Sequence, residues 1–298
     1  MDSAGLPSEV AADLRGSDTP RLRGEQSKKG AHGGNMVSPM PFAPRLPEVE
    51  IEAMSAEDLL RWGYEEYGDK LCLTCSWQKQ SSVLVHMVSE LGLGIPVIEL
   101  DTQLFFRESY ETRDRLVERY GLELESPQVI TVAEQHKREG PNLWETDPDR
   151  CCHIRKVEPL LEALGPYDAW ISGIRRDQSP SRATTPKLQW SERYRVWKFH
   201  PLADWDEKRV WAYIQVNEIP FNPLHESGYR SIGCIPCTRP TAPDEEERAG
   251  RWAGSDKLEC GIHTDTLPGA TGSVAVSGDQ VPGHGLGPGP AGRKETNG

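Results

Sequence analysis

Cys151-Cys152 and Cys234-x-x-Cys237 supply two tight pairs of thiols, and Cys260 stands apart in the run Glu-Cys-Gly-Ile-His. Four thiolates can hold an iron–sulfur cube, and a fifth outside that set is free to act as a nucleophile. Consecutive helical residues point about 100° apart, so Cys151 and Cys152 reach one centre only if it is bulky or sits over the helix end. A four-iron cube meets that demand better than one zinc ion, whose thiolates usually come from spaced pairs. Cys72 and Cys75 are also spaced as Cys-x-x-Cys, but residues three apart on a strand face opposite ways, so both read as core. Lys257 and His263 flank Cys260 and, together with whatever arginines close around it, are expected to lower its thiol pKa.

Cations gather around these thiols. Arg175, Arg176, Arg182, Arg230, Arg239, Arg248 and Arg251 all fall in the second half of the chain, which suits a small anionic ligand in a local pocket. Lys79, Ser81 and Ser82 lie where a strand turns into a helix, a place that favours an anion through backbone N–H groups and the helix dipole. Asp101 and Thr102 close the next strand, where an adenosine could be read. An ordinary Asp/Thr turn is the competing reading there.

The elements that must carry these residues alternate. Ser55 to Asp58 has the form of a capping box and opens a helix that should stop near Gly68, followed by a short buried strand at 71–75. Val83, Leu84, Met87, Val88 and Leu91 recur at helical spacing, and 95–100 reads as the next strand. Further helices are expected at about 107–120, 150–164 and 204–217, with a strand at 169–174. Strand and helix in repetition imply an α/β fold with a doubly wound parallel sheet and ligands beyond the carboxyl ends of its strands.

The chain has 298 residues, a formal net charge of -12 and 36% hydrophobic residues, with a mean hydropathy of -0.61. One good core is expected, at 48–264, between a disordered N-terminal extension at 1–47 and a flexible Gly/Pro-rich tail at 265–298. The acidic balance speaks against a nucleic-acid or membrane-surface partner. Without an apolar run of about 20 residues or a signal-peptide pattern, the expected compartment is the cytoplasm. There, seven cysteines argue for metal or catalytic thiols over disulfides. A homo-oligomer is left open.

Taken together, Cys151-Cys152-x-x-x-Lys156, Cys234-x-x-Cys237-Thr-Arg-Pro240, Glu247-Arg-Ala-Gly-Arg-Trp252 and Glu259-Cys-Gly-Ile-His263 resemble the assimilatory adenylyl-sulfate (adenosine 5'-phosphosulfate) reductases, over about Leu71 to Thr264. The resemblance implies an adenine-nucleotide α-hydrolase-like, Rossmann-like domain. It implies one [4Fe-4S] cluster on Cys151, Cys152, Cys234 and Cys237, and attack by Cys260 on the sulfur of adenylyl sulfate. AMP would leave, and thioredoxin or a similar dithiol would release sulfite from the S-sulfocysteine. Lys156, Arg248, Arg251 and His263 correspond to the sulfate end, Arg175, Arg176 and Arg182 to a substrate loop, and Ser76 and Asp101 to the nucleotide side. This chain departs from the family's usual pattern in the loop 76–82 and at Gln103, where glycine is usual. The alternatives are a reductase of the 3'-phosphorylated substrate and a zinc-stabilised sulfur-transfer or binding protein.

Overall fold

A computed structural model describes residues 44–264. The expectations for 1–43 and for the tail at 265–298 lie outside the described residues. In chain order the elements are α1 (Glu48–Ala53), α2 (Ala56–Tyr67), β1 (Leu71–Cys75), α3 (Lys79–Glu90), β2 (Val97–Glu99), α4 (Arg107–Tyr120), β3 (Leu124–Glu125), α5 (Val132–Glu139), α6 (Leu143–Thr146), α7 (Pro148–Cys152), α8 (Glu158–Ala163), β4 (Ala169–Ile171), β5 (Leu188–Ser191), β6 (Val196–Phe199) and α9 (Glu207–Val216). Ser55 caps α2 by accepting the Asp58 N–H at 3.0 Å. Gly121 ends α4 as a left-handed cap at a φ of 62°, and Gly68 ends α2 at a φ of 52°, a positive value that favours glycine.

The strands form one sheet in the order β3-β2-β1-β4-β6-β5. All neighbours are parallel except β5 and β6, an antiparallel hairpin that the sequence reading did not anticipate. The chain runs outward from β1 through β2 to β3 and then returns to the other side of β1 to lay down β4. This reversal opens a crevice beyond the carboxyl ends of β1 and β4, the switch point of a doubly wound sheet.

Alternation along β1 divides the core. Leu71, Leu73 and Cys75 join Leu59, Leu60, Val83, Leu84, Leu116 and Val210 on the face covered by α2, α3, α4 and α9. Cys72 points the other way, among Ile98, Leu160, Trp170 and Val196 beneath α8. The two cysteines therefore lie on opposite faces, as their spacing predicts. Between α7 and α8 the helix widens to a π turn over His153–Val157, so 148–163 is one helical run with an altered pitch at its middle.

Candidate functional site

A pocket sits in the crevice beyond β1 and β4. Its floor is Thr74, Cys75 and Ser76 from β1 and the turn after it, with Ser172, Gly173 and Ile174 following β4. Gln78, Gln80 and Ser81 from the start of α3 form one wall, and Lys156, Arg248, Arg251, Trp252, Cys260 and His263 close over it. Gly173 has a steric reason: a Cβ there would stand 3.1 Å from Cβ of Gln80, so glycine lets α3 approach β4. Cys75 is buried as expected, but it also borders the pocket.

The turn from β1 into α3 is fixed by Trp77, fully buried at a φ of 56°, whose indole N–H donates to Glu99 at 2.8 Å. Ser81 Oγ accepts the Ser76 N–H at 3.0 Å and sits 3.0 Å from Ser76 Oγ, placing two hydroxyls at the mouth of the helix. Ser82 turns back instead to the Gln78 carbonyl at 3.4 Å. Lys79 corrects the sequence expectation: it is fully buried with Nζ 2.7 Å from Glu207 and 3.1 Å from Glu247, so it does not line the pocket. Asp101 accepts from the Gln103 N–H and the Tyr110 hydroxyl, both at 2.8 Å, and is likewise outside the pocket lining. Its bond from the Gln103 N–H is that of an Asp turn. Gln103 has a φ of 56°, a left-handed conformation that explains why glycine would be at ease there.

The arginine loop after β4 divides in the same way. Arg182 lines the pocket. Arg175 is fully buried and is taken up by Glu247 at 2.6 Å and Asp177 at 3.4 Å. Arg176 pairs with Glu52 at 2.6 Å and donates to the Thr185 carbonyl. Neither Arg175 nor Arg176 faces the pocket, so the proximity implied by sequence is corrected for both. Arg230 is likewise held by Glu207 and Arg239 by Glu245.

The four paired thiols lie on two elements that approach each other. Cys151 and Cys152 end α7, just before the π turn that carries Lys156. Cys234 caps and Cys237 ends a single 3-10 turn, tied to the connection after β2 by antiparallel pairing of Phe105 with Cys234 and by the Ile235 N–H on the Leu104 carbonyl at 2.8 Å. Thr102 Oγ1 lies 3.3 Å from Cys234 Sγ, and Gln135 Nε2 donates to Cys151 Sγ at 3.8 Å. Burial pushes the thiols of Cys151, Cys152 and Cys237 up, Cys152 to about 12 and Cys237 to about 11. Part of the rise in each is repulsion from Cys234, which marks the thiols as electrostatic neighbours. Among the described residues, no three histidine, cysteine or carboxylate donors gather closely enough to hold a metal ion.

Cys260 behaves in the opposite sense. Burial works against its ionisation, but Lys156, the Ile262 N–H and Arg251 outweigh burial and the adjacent Glu259, and its pKa falls below the ordinary thiol value. Of the expected contributors, an arginine does act, through Arg251, but Lys257 and His263 do not appear among the causes. Lys257 instead pairs with Asp149 and lies 5.5 Å from the Trp252 ring centre. Burial, then Lys198 and Arg182, hold His263 far below its usual value, so it is neutral near neutral pH and stacks on Trp170 with centroids 5.4 Å apart. Arg251 Nη1 donates to the Ile232 carbonyl at 3.2 Å, and its guanidinium lies 4.5 Å from the Trp252 ring centre. Glu259 joins Arg182 at 2.7 Å and Arg248 at 3.1 Å, which ties the segment bearing Cys260 to the arginine loop.

Sequence reasoning passed over Gln78, Gln80, Gln178 and Trp252 as pocket residues. Trp252 stood inside a motif singled out for its arginines. The glutamines carried no signal of their own, because only the fold brings their amides to the switch point.

This geometry agrees with comparisons to known proteins. The phosphoadenosine phosphosulfate reductase domain model matches residues 70–240. The adenosine 5'-phosphosulfate reductase of Bacillus pumilus is 46% identical over 211 residues, covering 70% of this chain and 90% of that protein. Adenosine 5'-phosphosulfate reductase 1 of Bacillus subtilis is also 46% identical over 211 residues, with the same coverage. A crystal structure of phosphoadenylyl-sulfate reductase from Candida auris, a phosphate complex, aligns with a TM-score of 0.57 at 29% identity, covering 64% of this chain and 94% of that one. With half the chain matched by the domain model and relatives of this identity spanned almost end to end, the chain belongs to the phosphoadenosine phosphosulfate reductase family, on the side of its adenosine 5'-phosphosulfate reductases.

Proposed function

We propose that this chain reduces adenylyl sulfate to sulfite and AMP, using Cys260 as the nucleophile. The observation that carries the reading is the shared pocket of the Cys260 thiol with Lys156, Arg248 and Arg251 at the switch point of the sheet. A thiolate approaching a sulfate meets like charge, and cations around the site screen that repulsion and stabilise the charge that develops on the leaving group.

The Cys260 thiolate attacks the sulfur of adenylyl sulfate. A sulfur–sulfur bond forms, the bond from sulfur to the bridging oxygen breaks, and that oxygen departs with AMP. A dithiol of the thioredoxin type then attacks Cys260 Sγ, sulfite leaves with the electron pair, and the second thiol resolves the mixed disulfide. The dithiol thereby supplies the two electrons, and the Cys260 thiol is restored. Ser76 and Ser81 offer hydroxyls for the nucleotide side, and His263, neutral and pressed on Trp170, borders the same space. The runner-up substrate, the 3'-phosphorylated compound, is separated by comparing kcat/KM for the two.

Cys151, Cys152, Cys234 and Cys237 would hold the [4Fe-4S] cluster. Two observations support the fit. Hydrogen-bonding side chains already face Cys151 and Cys234, through Gln135 and Thr102. Arg155 is buried beside Cys151 with Nε and Nη2 unpartnered, as suits a neighbouring group with added negative charge. When bound, the cluster would contribute a field acting on Lys156.

The test is mass spectrometry of the purified protein after exposure to adenylyl sulfate alone. A sulfonate adduct on Cys260, lost on adding a dithiol with release of sulfite, is the expected result. An unmodified Cys260 in iron-replete protein overturns the mechanism.

A further inference from the structure

Glu247 is 5% exposed and does not line the pocket. Its carboxylate nonetheless receives Arg175 Nη2 at 2.6 Å, Lys79 Nζ at 3.1 Å and Gln80 Nε2 at 3.3 Å. Lys79 and Gln80 open α3, whereas Arg175 begins the loop beyond β4. One carboxylate thus joins both sides of the switch point. Lys79 and Arg175 are each fully buried, and a buried cation needs a charged partner, so removing the shared carboxylate costs far more than breaking a surface ion pair. Glu207 also serves Lys79 and Asp177 also serves Arg175, but Glu247 is the carboxylate that the two cations share.

The residues that follow Glu247 enter the pocket. Arg248 lines it, and the Arg251 N–H returns to the Arg248 carbonyl at 2.9 Å, closing a tight turn. Arg251 then pairs with Thr238, next to Cys237. Its guanidinium lies flat on Gly233, where a Cβ would come within 2.4 Å of Arg251 Cζ. The stretch from Glu247 to Trp252 is therefore strung between the carboxyl edge of the sheet at one end and the paired thiols at the other.

We propose that Glu247 is a positioning residue that sets where Arg248 and Arg251 stand over the pocket, and through them the affinity for the anionic end of the ligand. The inference rests on the proposed reading of those two arginines as sulfate ligands.

The experiment is calorimetric titration of adenylyl sulfate into cluster-loaded Cys260→Ser protein, which binds without turnover. Glu247→Gln in that background should weaken binding about tenfold or more, and in protein also carrying Arg248→Ala and Arg251→Ala the same change should cost less than about threefold. The drop in melting temperature should be alike in both backgrounds, which separates positioning from general damage. Equal affinity of Glu247→Gln and its parent, or the same loss in both backgrounds, overturns the inference alone. A parent that binds no adenylyl sulfate overturns the reading of the pocket and this inference with it. If Glu247→Gln fails to fold, Arg175→Lys keeps the charge but shortens the reach to Glu247; it should weaken binding only where Arg248 and Arg251 are present.

Discussion

The carboxyl edge of the sheet and the segment from Arg248 to His263 are both rich in cations, and they use them differently. At the sheet edge, Lys79, Arg175 and Arg176 are consumed by Glu207, Glu247, Asp177 and Glu52. In the later segment Arg251 leans on Trp252 and a backbone carbonyl, among the described residues no carboxylate forms an ion pair with it, and its charge reaches Cys260. A positive charge is thus spent where the fold sets a carboxylate on either side of it, as at Lys79 and Arg175, and stays available where no described carboxylate pairs with it, as at Arg251; Arg248, which shares Glu259 with Arg182, stands between the two. Proximity to a motif does not decide this.

The comparison breaks most severely at the thiols themselves. Cys260→Ser should abolish sulfite production while iron content stays near that of the parent, because it lies outside the paired set. Cys234→Ser should lose iron first and activity as a consequence. Iron and activity assays on the two variants check this, and unchanged iron in Cys234→Ser would refute the ligand assignment.

A smaller effect sharpens the contrast between the two groups of cations. Arg251→Ala should slow single-turnover sulfonation of Cys260 by roughly 10²-fold or more, the range for removing one partner of a desolvated charge interaction. Arg176→Ala breaks only its contacts with Glu52 and Thr185 and should leave that rate within about threefold. Equal losses would erase the distinction between the regions.

The smallest effect concerns acid stability at the sheet edge. His225 Nδ1 donates to the Tyr229 carbonyl at 2.7 Å and its Nε2 accepts the Lys79 N–H at 3.3 Å. Burial first, and Lys79 next, hold its pKa down at about 3. Between the unfolded value of about 6.5 and that folded value, the unfolded chain binds a proton that the native one refuses. This contribution is intact above pH 6.5 and is lost as pH falls toward 3, at no more than about 1.4 kcal/mol per pH unit. Glu207, lowered to about 2 by Lys79 and Arg230 against its burial, adds a loss of the same sign below its ordinary carboxylate value. Urea unfolding at pH 7, 5.5 and 4 should therefore show a shallower acid decline in His225→Gln than in the parent. Parallel declines would remove His225 from the account.

Much of the architecture was legible because it depends on local pattern. The helix 107–120 matches α4 end for end, and Ser55 and Gly68 bound α2 as their types dictate. The hairpin of β5 and β6 escaped because its turn uses Arg195 at a φ of 58° where Gly or Asn would have signalled it. Lys198, fully buried on β6, further spoils the apolar alternation. The thiols and Cys260 were visible by type and spacing alone. The fates of Lys79 and Arg175 were not, since their carboxylate partners lie 128 and 72 residues away in sequence.

The π turn at His153–Val157 turns chain length itself into a functional variable. The widened turn takes up one residue more than ordinary α-helix would between Cys152 and Lys156, and without that widening the extra residue would carry Lys156 about 100° further around the axis relative to the two thiols. Side-chain replacements at His153 or Ile154 leave that count untouched. A single-codon insertion there, with no second widening to take it up, would preserve every residue type in the site and still misdirect its lysine, so this stretch should accept spelling changes far more readily than added length.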